Sequence, residues 1–408
     1  MSDASNIKAS ENARHWLFDE GEIFLNHGSF GACPQAVLDE QTRWRQEMER
    51  QPLDFLDRRY HGLLAEARSV LAEFVGADQD DMGFVPNATG GVNAVLRSLD
   101  FKPGDELLMS DHEYNACKNA LYYIAKRTGA KAVVVNLPFP LESEEEIIEC
   151  LLEAVSDKTR LLMIDHVTSP TALVLPVKRI VEEFDRRGID TLVDGAHAPG
   201  MLPLDINDIG AAYYTGNCHK WLCTPKGSAF LHVRRDRRKL IKPLSISHGY
   251  LAEVPEDMRF RLEFDWTGTT DPSAVLAIPK AIEFLGSLYP GGIKEHMRKN
   301  RQLAIEARGI LCDKLSIDTP CPESMLGAMA SLPLCDNPHP PDPVEPWKDR
   351  LQAALYSRYR IEAIVTAWPQ YPKRLLRVCA QAYNSLEQYE YTALRVAELL
   401  EEERSRPI

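Results

Sequence analysis

A carboxylate and a lysine stand directly after two predicted strands. Asp194 ends an apolar run and precedes a Gly-Ala-His-Ala-Pro-Gly loop, where the backbone can approach a ligand closely. Lys220 follows a second predicted strand and has Trp221 as its neighbour. An apolar setting depresses the pKa of a lysine, as an amine that attacks carbonyls requires. Each residue also has an ordinary interpretation, Asp194 as a turn or capping residue and Lys220 as a surface lysine.

A third segment, Asn87–Asn93, follows a strand and opens a helix, and it contains Thr89 and Gly90. The free N–H groups and the dipole of a helix N-terminus bind phosphate, although a simple Asn or Thr N-cap is also a sufficient interpretation. A carboxylate that keeps a pyridine nitrogen protonated, a lysine that forms an imine and a phosphate loop suit pyridoxal 5′-phosphate. The three segments together predict an enzyme that uses this cofactor.

Short apolar runs alternate with amphipathic stretches between residues 80 and 235. The predicted strands are Gly83–Pro86, Glu106–Met109, Lys131–Asn136, Arg160–Asp165, Asp190–Asp194, Ala211–Thr215 and Ser228–Val233. The predicted helices are Gly90–Ser98, Ala116–Thr128, Ser143–Val155 and Val177–Arg187. This alternation predicts an α/β fold with a mostly parallel sheet that is covered on both faces. Open sheets of this kind bind ligands at the carboxyl ends of their strands, where Asp165, Asp194 and Thr215 lie.

The pattern changes after residue 291 to helix, strand, helix, strand, helix. These elements are predicted at 292–315, 325–332, 346–358, 374–380 and 385–403, with an exposed Pro-rich loop at Asn337–Pro346. A chain of 408 residues is long enough for two packed domains. We predict an N-terminal segment that lines the cleft (residues 1–34), a large cofactor-binding domain (35–290) and a small α+β domain (291–408).

Composition limits the kinds of partner. The 60 acidic and 47 basic residues give a net charge of −13, which disfavours nucleic acid or an anionic membrane as the main partner. Nine scattered cysteines without a C-x-x-C pair argue against a disulfide framework and against a zinc site, so we expect no metal. The first residues lack the apolar core of a signal peptide, and no apolar run approaches the ~18 residues of a membrane span. We therefore expect a cytoplasmic protein.

Several segments together carry a resemblance to a known family. They are Leu25–Gly31, Asp111–Tyr114, His166–Ser169, Val193–Gly200, His219–Leu222, Pro225–Gly227 and Arg360–Ala363. In combination they resemble the class V aminotransferase superfamily of fold-type-I pyridoxal-phosphate enzymes over nearly the whole chain. Within that superfamily the chain is most similar to the isopenicillin N epimerase group. The resemblance implies an aspartate-aminotransferase-like fold with a large, mostly parallel sheet domain and a small α+β C-terminal domain.

The resemblance also implies roles for the matching residues around the cofactor. Lys220 would form the imine with the cofactor and move the Cα proton, and Asp194 would pair with the pyridine nitrogen. His197 would hydrogen-bond the phenolic oxygen, and Tyr114 would stack over the ring face. The residues implied in phosphate binding are Thr89, Gly90, Asn217, His219 and, from a neighbouring subunit, Thr269. This last residue is the only indication of a homodimer in the sequence.

Arg377 matches the arginine that binds the substrate carboxylate in this family, with Asn26 and Tyr383 implied beside it. A planar guanidinium suits a carboxylate that it can bind through two parallel hydrogen bonds. Without the match at Tyr383 and Asn384, a surface strand arginine would be a sufficient interpretation. The implied partner is therefore a small amino-acid substrate.

The cofactor does not fix the reaction, because the imine activates all three bonds at Cα. Related desulfurases carry a nucleophilic cysteine in the loop before the arginine, and the segment 361–372 contains no cysteine, which disfavours desulfuration through a persulfide. The predicted reaction is epimerisation. The alternatives are C–S lysis of a cysteine conjugate or sulfoxide, and transamination. A non-catalytic homologue is the least expected interpretation. Epimerisation requires proton transfer at both faces of Cα. Lys220 serves one face, and Tyr114 and Tyr383 are the candidates for the other.

Overall fold

A seven-stranded sheet is the centre of the fold in the computed structural model, which describes residues 7–343, 345 and 347–405. The strands are β1 Ile23–Phe24, β2 Met82–Val85, β3 Glu106–Ser110, β4 Lys131–Val135, β5 Thr159–Asp165, β6 Asp190–Asp194, β7 Tyr213–Asn217, β8 Ala229–Val233, β9 Met329–Pro333, β10 Ile361–Glu362, β11 Ile364–Ala367 and β12 Arg374–Cys379. The large sheet has the order β2-β8-β7-β6-β5-β3-β4. Strand β8 runs antiparallel to both of its neighbours, and the other adjacent pairs are parallel.

Both faces of the large sheet are buried, as the apolar strands predict. Alternate residues of β5 show this, because Leu162 and Ile164 enter one core cluster whereas Leu161 and Met163 enter another. Successive side chains of a strand point to opposite faces, so the two clusters lie on opposite sides of the sheet. The predicted α/β class is confirmed.

Helices cover this sheet and form much of the C-terminal part. They are α1 His27–Phe30, α2 Gln35–Arg50, α3 Tyr60–Val75, α4 Ala88–Ser98, α5 Asn115–Thr128, α6 Glu144–Glu153, α7 Val177–Asp185, α8 Ile206–Ile209, α9 Glu256–Asp265, α10 Ser273–Leu276, α11 Ile278–Ser287, α12 Gly292–Leu315, α13 Arg350–Tyr359 and α14 Leu386–Ser405. Local chemistry sets their ends: α6 begins with a capping box of Ser143 and Glu146, and α5 ends at left-handed Gly129. None of the described helices combines the length and the apolar content that crossing a bilayer takes.

A second, antiparallel sheet has the order β11-β12-β9, and α12 packs against β9 and α14. The N-terminal strand β1 pairs in parallel with β10, with Ile23 opposite Ile361. This pairing attaches the N-terminal segment to the C-terminal part of the chain. The division of the chain into 1–34, 35–290 and 291–408 stays a prediction.

The segment 361–372 differs from the prediction, which treated it as a loop. It contains β10 and β11, and β11 pairs with β12 so that Ile364 lies opposite Arg377. Strands of two and four residues are too short to show an alternating pattern in the sequence. This misassigned hairpin forms one wall of the cleft described below.

Candidate active site

Seven of the nine residues predicted to bind the cofactor line a cavity of about 380 Å³ at the carboxyl ends of β5, β6 and β7, and Gly90 and Thr269 do not. Those that line it are Thr89, Tyr114, Asp194, His197, Asn217, His219 and Lys220. A second cavity of about 520 Å³ adjoins the first, and Arg377 lines it. The residues that line both are Ser29, Phe30, Tyr114, Ser169 and Lys220. The structure thus brings Lys220 and Arg377 to one cleft, although they belong to distant parts of the chain.

The Lys220 amine lies 3.1 Å from Nε2 of His197. Trp221 donates its indole N–H to Nδ1 of the same ring at 3.2 Å, so the hydrogen of a neutral His197 must sit on Nε2. The pKa of His197 lies well below its usual range, mainly because the ring is buried and also because the nearby Lys220 charge disfavours a second positive charge. The ring is therefore neutral. Burial and the Arg377 charge lower the Lys220 pKa to about 8. Lys220 therefore releases its proton at a lower pH than an ordinary lysine, which favours the neutral amine that imine formation requires.

The carbonyl of Lys220 is held by His27, whose Nε2 lies 3.0 Å from it. Nδ1 of His27 then accepts the Tyr383 hydroxyl at 2.9 Å. Gly31 follows at φ 70°, and an added Cβ there would overlap the His219 carbonyl. The N-terminal segment therefore packs directly on the backbone of the lysine loop.

Tyr383 does not lie where the resemblance implied. It is buried, it bonds to His27, and it lines neither of the two cleft cavities. The reason is that the chain after β12 turns away from the cleft and packs against the N-terminal segment, where Trp16 and Phe18 contact the Tyr383 ring. Tyr383 supports the lysine loop from behind, and we do not retain it as a substrate-binding residue or as an acid at Cα.

Asp194 is buried at the end of β6, and both of its oxygens are hydrogen-bonded. Oδ1 accepts the Ala196 N–H at 2.9 Å, and Oδ2 accepts the Cys117 thiol at 3.1 Å. It forms no ion pair with a cation of the described residues, and burial raises its pKa. A protonated pyridine nitrogen placed beside it would supply the missing positive charge.

Two further carboxyls, Glu113 and Asp165, are buried beside Asp194, and sequence reasoning missed them as a cluster. Oε1 of Glu113 accepts the Ser110 hydroxyl and the Asp165 N–H, each at 3.0 Å. Burial raises the Glu113 pKa to about 7, and burial together with the Glu113 and Asp194 charges raises the Asp165 pKa well above its usual range. Since like charges in a buried site cannot all ionise, Glu113 and Asp165 hold at least one proton between them near neutral pH.

The phosphate end of the site lies at the start of α4. Asn87 caps this helix by accepting the Gly90 N–H at 2.8 Å, and Asn217 accepts the Ala88 N–H at 2.8 Å. Asn217 therefore fixes the helix start to the end of β7. His219 lies next to Lys220 and is held by the Ser228 carbonyl, 2.9 Å from its Nδ1. Exposed Thr269, in contrast, lies in the segment between α9 and α10 and lines neither cavity of its own chain.

Arg377 is 3% exposed and forms no ion pair with an acid of the described residues. Its Nη1 donates to the Ser169 carbonyl at 2.6 Å, its Nη2 donates to the Ser29 hydroxyl at 3.1 Å and to Oδ1 of Asn26 at 3.3 Å, and its Nε has no described acceptor. Burial lowers its pKa. Sequence reasoning missed Ser29 and Ser169 as its partners, although both lie in the segments that carried the resemblance. Asn26 itself orients Arg377 but does not line the cavity.

A buried acid, a lysine of lowered pKa, an imidazole N–H facing that lysine and a helix N-terminus all meet in one cavity, and this set of groups fits pyridoxal phosphate. No three His, Cys, Asp or Glu side chains of the described residues are grouped so as to hold a metal ion. Together with the sheet order, the site defines an enzyme of the fold-type-I pyridoxal-phosphate class.

Comparisons with known proteins agree. A family model described as aminotransferase class-V matches residues 31–322. The chain is 37% identical to an isopenicillin N epimerase of Amycolatopsis lactamdurans, over 96% of this chain and 98% of that protein. It is 33% identical to a putative L-cysteine desulfhydrase 1 of Oryza sativa subsp. japonica, over 91% and 82% of the two chains. The solved structure of C-DES with glycine covalently linked to its pyridoxal-phosphate cofactor shares the fold, with a TM-score of 0.77, 22% identity and coverage of 92% and 96%.

The chain belongs to the class V aminotransferase family, and it is a pyridoxal-phosphate-dependent enzyme. The predicted family, fold type and cofactor are confirmed. The individual residue roles stay predictions.

Proposed function

We propose that this enzyme is an epimerase that acts at the Cα of an amino acid or of an amino-acid-containing compound. The observation that carries the proposal is Arg377, a buried guanidinium without an acidic partner among the described residues, in the same cavity as Lys220. An unpaired buried cation is costly, and a substrate carboxylate removes that cost. The similarity to an isopenicillin N epimerase over nearly the whole chain supports epimerisation as the reaction.

Each residue of the chain then has a separate task. Bound pyridoxal phosphate supplies an electron sink that weakens the bonds at Cα. Asp194 would pair with the pyridine nitrogen of the bound cofactor and keep it protonated, and His197 would hold the phenolic oxygen through its Nε2 hydrogen. Arg377 binds the substrate carboxylate and thereby fixes the orientation of the Cα–H bond. Lys220, as a neutral amine, accepts the Cα proton on one face.

Epimerisation needs a second group that transfers a proton on the opposite face. Tyr114 lines both cavities and is 48% exposed, whereas Tyr383 lines neither. The structure therefore leaves Tyr114 as the candidate of the two, and we propose it as the second proton-transfer residue.

C–S lysis is the alternative reaction, and the similarity to a putative L-cysteine desulfhydrase favours it. It needs only Lys220 and a leaving group on Cβ, so the same site would serve. Desulfuration through a persulfide is disfavoured, because no cysteine of the described residues lines either cavity.

We further propose that the enzyme is a cytoplasmic homodimer. Its nine cysteines are unpaired, as is usual in a reducing compartment. Exposed Thr269 does not reach the cleft of its own chain, which is consistent with the implied contact between Thr269 of the partner subunit and the phosphate. Sedimentation of the holoenzyme would test the dimer.

The experiment that tests the reaction is incubation of the holoenzyme with L-amino acids, peptides and cysteine conjugates in D₂O. An epimerase gives Cα deuteration together with the D-isomer, whereas a C–S lyase gives pyruvate and released thiol. Lys220→Ala should abolish both outcomes. If no compound in the panel showed Cα exchange, bond lysis or amino transfer, chemistry at Cα would be the wrong proposal.

A further inference from the structure

Three buried carboxyls lie together on one face of the large sheet. Asp165 ends β5 and Asp194 ends β6, and the two residues lie directly opposite each other in this parallel strand pair. Side chains of such neighbours project to the same face, and the strands that carry them are about 4.8 Å apart. Glu113 joins them from the segment before α5, where its Oε1 accepts the Asp165 N–H at 3.0 Å. The task proposed for Asp194 leaves Glu113 and Asp165 without a role.

The hydrogen bonds of Glu113 and Asp165 indicate which of them holds the proton. Oε1 of Glu113 already accepts two hydrogen bonds, from the Asp165 N–H and from the Ser110 hydroxyl. Oε2 of Glu113 and Oδ1 of Asp165 are buried and receive no hydrogen bond from an N–H or O–H group of the described residues. The two side chains are within hydrogen-bonding reach of each other. A carboxylate only accepts, so a proton on Asp165 that is donated to Glu113 satisfies both atoms.

The groups around this pair leave its remaining negative charge in place. The Cys117 thiol donates to Asp194, and burial together with the Asp194 charge raises the Cys117 pKa well above its usual range, so the thiol stays neutral. Burial, and then the Glu113 charge, raises the Asp165 pKa well above its usual range, and Lys220 opposes them with a smaller effect. Asp165 lines the cofactor cavity, and Glu113 lines the adjoining one. The charge of the pair therefore lies at the wall that Asp194 also forms.

We propose that Glu113 and Asp165 act as one singly protonated pair, whose negative charge acts with Asp194 to keep the pyridine nitrogen of the bound cofactor protonated. A second negative charge on the same side of the cavity favours the charged form of that nitrogen. The effect is larger in a buried site than in water, because the effective dielectric constant is lower there. The inference rests on the proposed pairing of Asp194 with this nitrogen, and it does not depend on which bond at Cα is broken.

Amide substitutions separate the proton of the pair from its charge. In Asp165→Asn the side-chain N–H can replace the acid proton as the donor to Glu113, so the negative charge stays. The double variant Glu113→Gln, Asp165→Asn keeps the shape of the pair and removes its charge. Asp111→Asn is the control, because this carboxylate lines the cleft but accepts its hydrogen bond from Leu137, outside the pair.

The first measurement is nitrogen-15 NMR of holoenzyme that is reconstituted with cofactor labelled at the pyridine nitrogen, recorded against pH. Wild type, Asp165→Asn and Asp111→Asn should lose the pyridinium proton at the same pH. The double variant should lose it at a pH at least about 1 lower. If the double variant matched the wild type, or if Asp165→Asn behaved like the double variant, the charge of the pair would not have this role.

The second measurement is infrared spectroscopy of the cofactor-free proteins near pH 8, because a protonated carboxyl has a C=O stretch that a carboxylate lacks. The wild type should show this band, and Asp165→Asn should lose it. A band that persisted unchanged in Asp165→Asn would overturn the placement of the proton, even if the double variant failed to fold.

Asp194→Asn distinguishes a failure of this inference from a failure of the proposed function. Unchanged protonation of the pyridine nitrogen in Asp194→Asn would overturn the task proposed for Asp194. Loss of protonation in Asp194→Asn, together with no effect of the double variant, would overturn only the role of Glu113 and Asp165.

Discussion

The indole N–H of Trp221 donates to Nδ1 of His197 across 3.2 Å, and this bond decides which ring nitrogen faces Lys220. An indole nitrogen is a donor only, so Nδ1 must accept and Nε2 must carry the hydrogen of the neutral ring. The same Nε2 hydrogen is the one that can reach a phenolic oxygen beside Lys220. Trp221 is thus a positioning residue that acts through His197.

Trp221→Phe tests this relationship, since it removes the donor and keeps an aromatic ring. We expect His197 to populate both neutral tautomers and kcat to fall about tenfold. Nitrogen-15 NMR of the histidine rings in the cofactor-free protein distinguishes the tautomers without reference to activity. Trp266→Phe is the control, because Trp266 packs against Tyr60 instead. A His197 tautomer that is unchanged in Trp221→Phe would contradict the assignment.

Arg377 has two separable effects, one through its charge on Lys220 and one through its shape on the substrate. Arg377→Met removes a cation that lowers the Lys220 pKa, so this pKa should rise above its value of about 8. The rate at which the cofactor-free protein takes up pyridoxal phosphate depends on the neutral amine, and its pH midpoint should shift upward. Arg377→Lys keeps the charge and should leave the midpoint in place.

Both Arg377 variants should nevertheless lose about ten- to a hundredfold in kcat/KM, because neither can form two parallel hydrogen bonds with a carboxylate. Unchanged kcat/KM in Arg377→Met would mean that the substrate carboxylate is held elsewhere in the cleft.

Tyr114→Phe tests the proton transfer on the second face. Since Lys220 still serves its own face, the variant should continue to exchange the Cα hydrogen of its L-substrate for deuterium. It should form the D-isomer at least about a hundredfold more slowly. Chiral chromatography coupled to mass spectrometry measures both products in one sample. Equal losses of exchange and of inversion would show that Tyr114 acts on binding and not on the second face.

Glu113→Gln tests the buried carboxyl pair through stability. The pKa of Glu113 is raised in the fold, from 4.5 to about 7. The stability that Glu113 contributes to the free energy of unfolding is therefore fully present below pH 4.5. It is lost as the pH rises through 7, because the folded state disfavours the charged form of this side chain. Wild type and variant should be similarly stable near pH 4.5, and the variant should become the more stable by up to about 3 kcal/mol near pH 8. Urea unfolding of the cofactor-free proteins at both pH values measures these free energies of unfolding. If the values of wild type and variant changed equally between the two pH values, the raised pKa of Glu113 would be refuted.

The strands of the large sheet and the helices α4, α5, α6 and α7 followed from the sequence alone. Strand Asp190–Asp194 was predicted with its observed bounds, and α12 with 292–315 likewise. These elements are long enough to show their periodicity, and their side-chain burial repeats along a local stretch of chain. Lys220, Asp194 and the Asn87 cap lie at the ends of such elements, so their convergence at one edge of the sheet is a consequence of parallel topology.

Only the tertiary structure decided which residues far apart in sequence are in contact and in which direction their side chains point. Tyr383 was expected beside the substrate, yet its hydroxyl bonds to His27 behind the lysine loop. Ser169 supplies a carbonyl to Arg377, and Glu113 meets Asp165. No local pattern encodes such pairs, because each depends on how separately formed elements pack and on which rotamer that packing leaves open. The sequence determines which groups are available at the cleft, and the packing of the N-terminal segment, the two sheets and the hairpin Ile364–Cys379 determines which of them face the substrate.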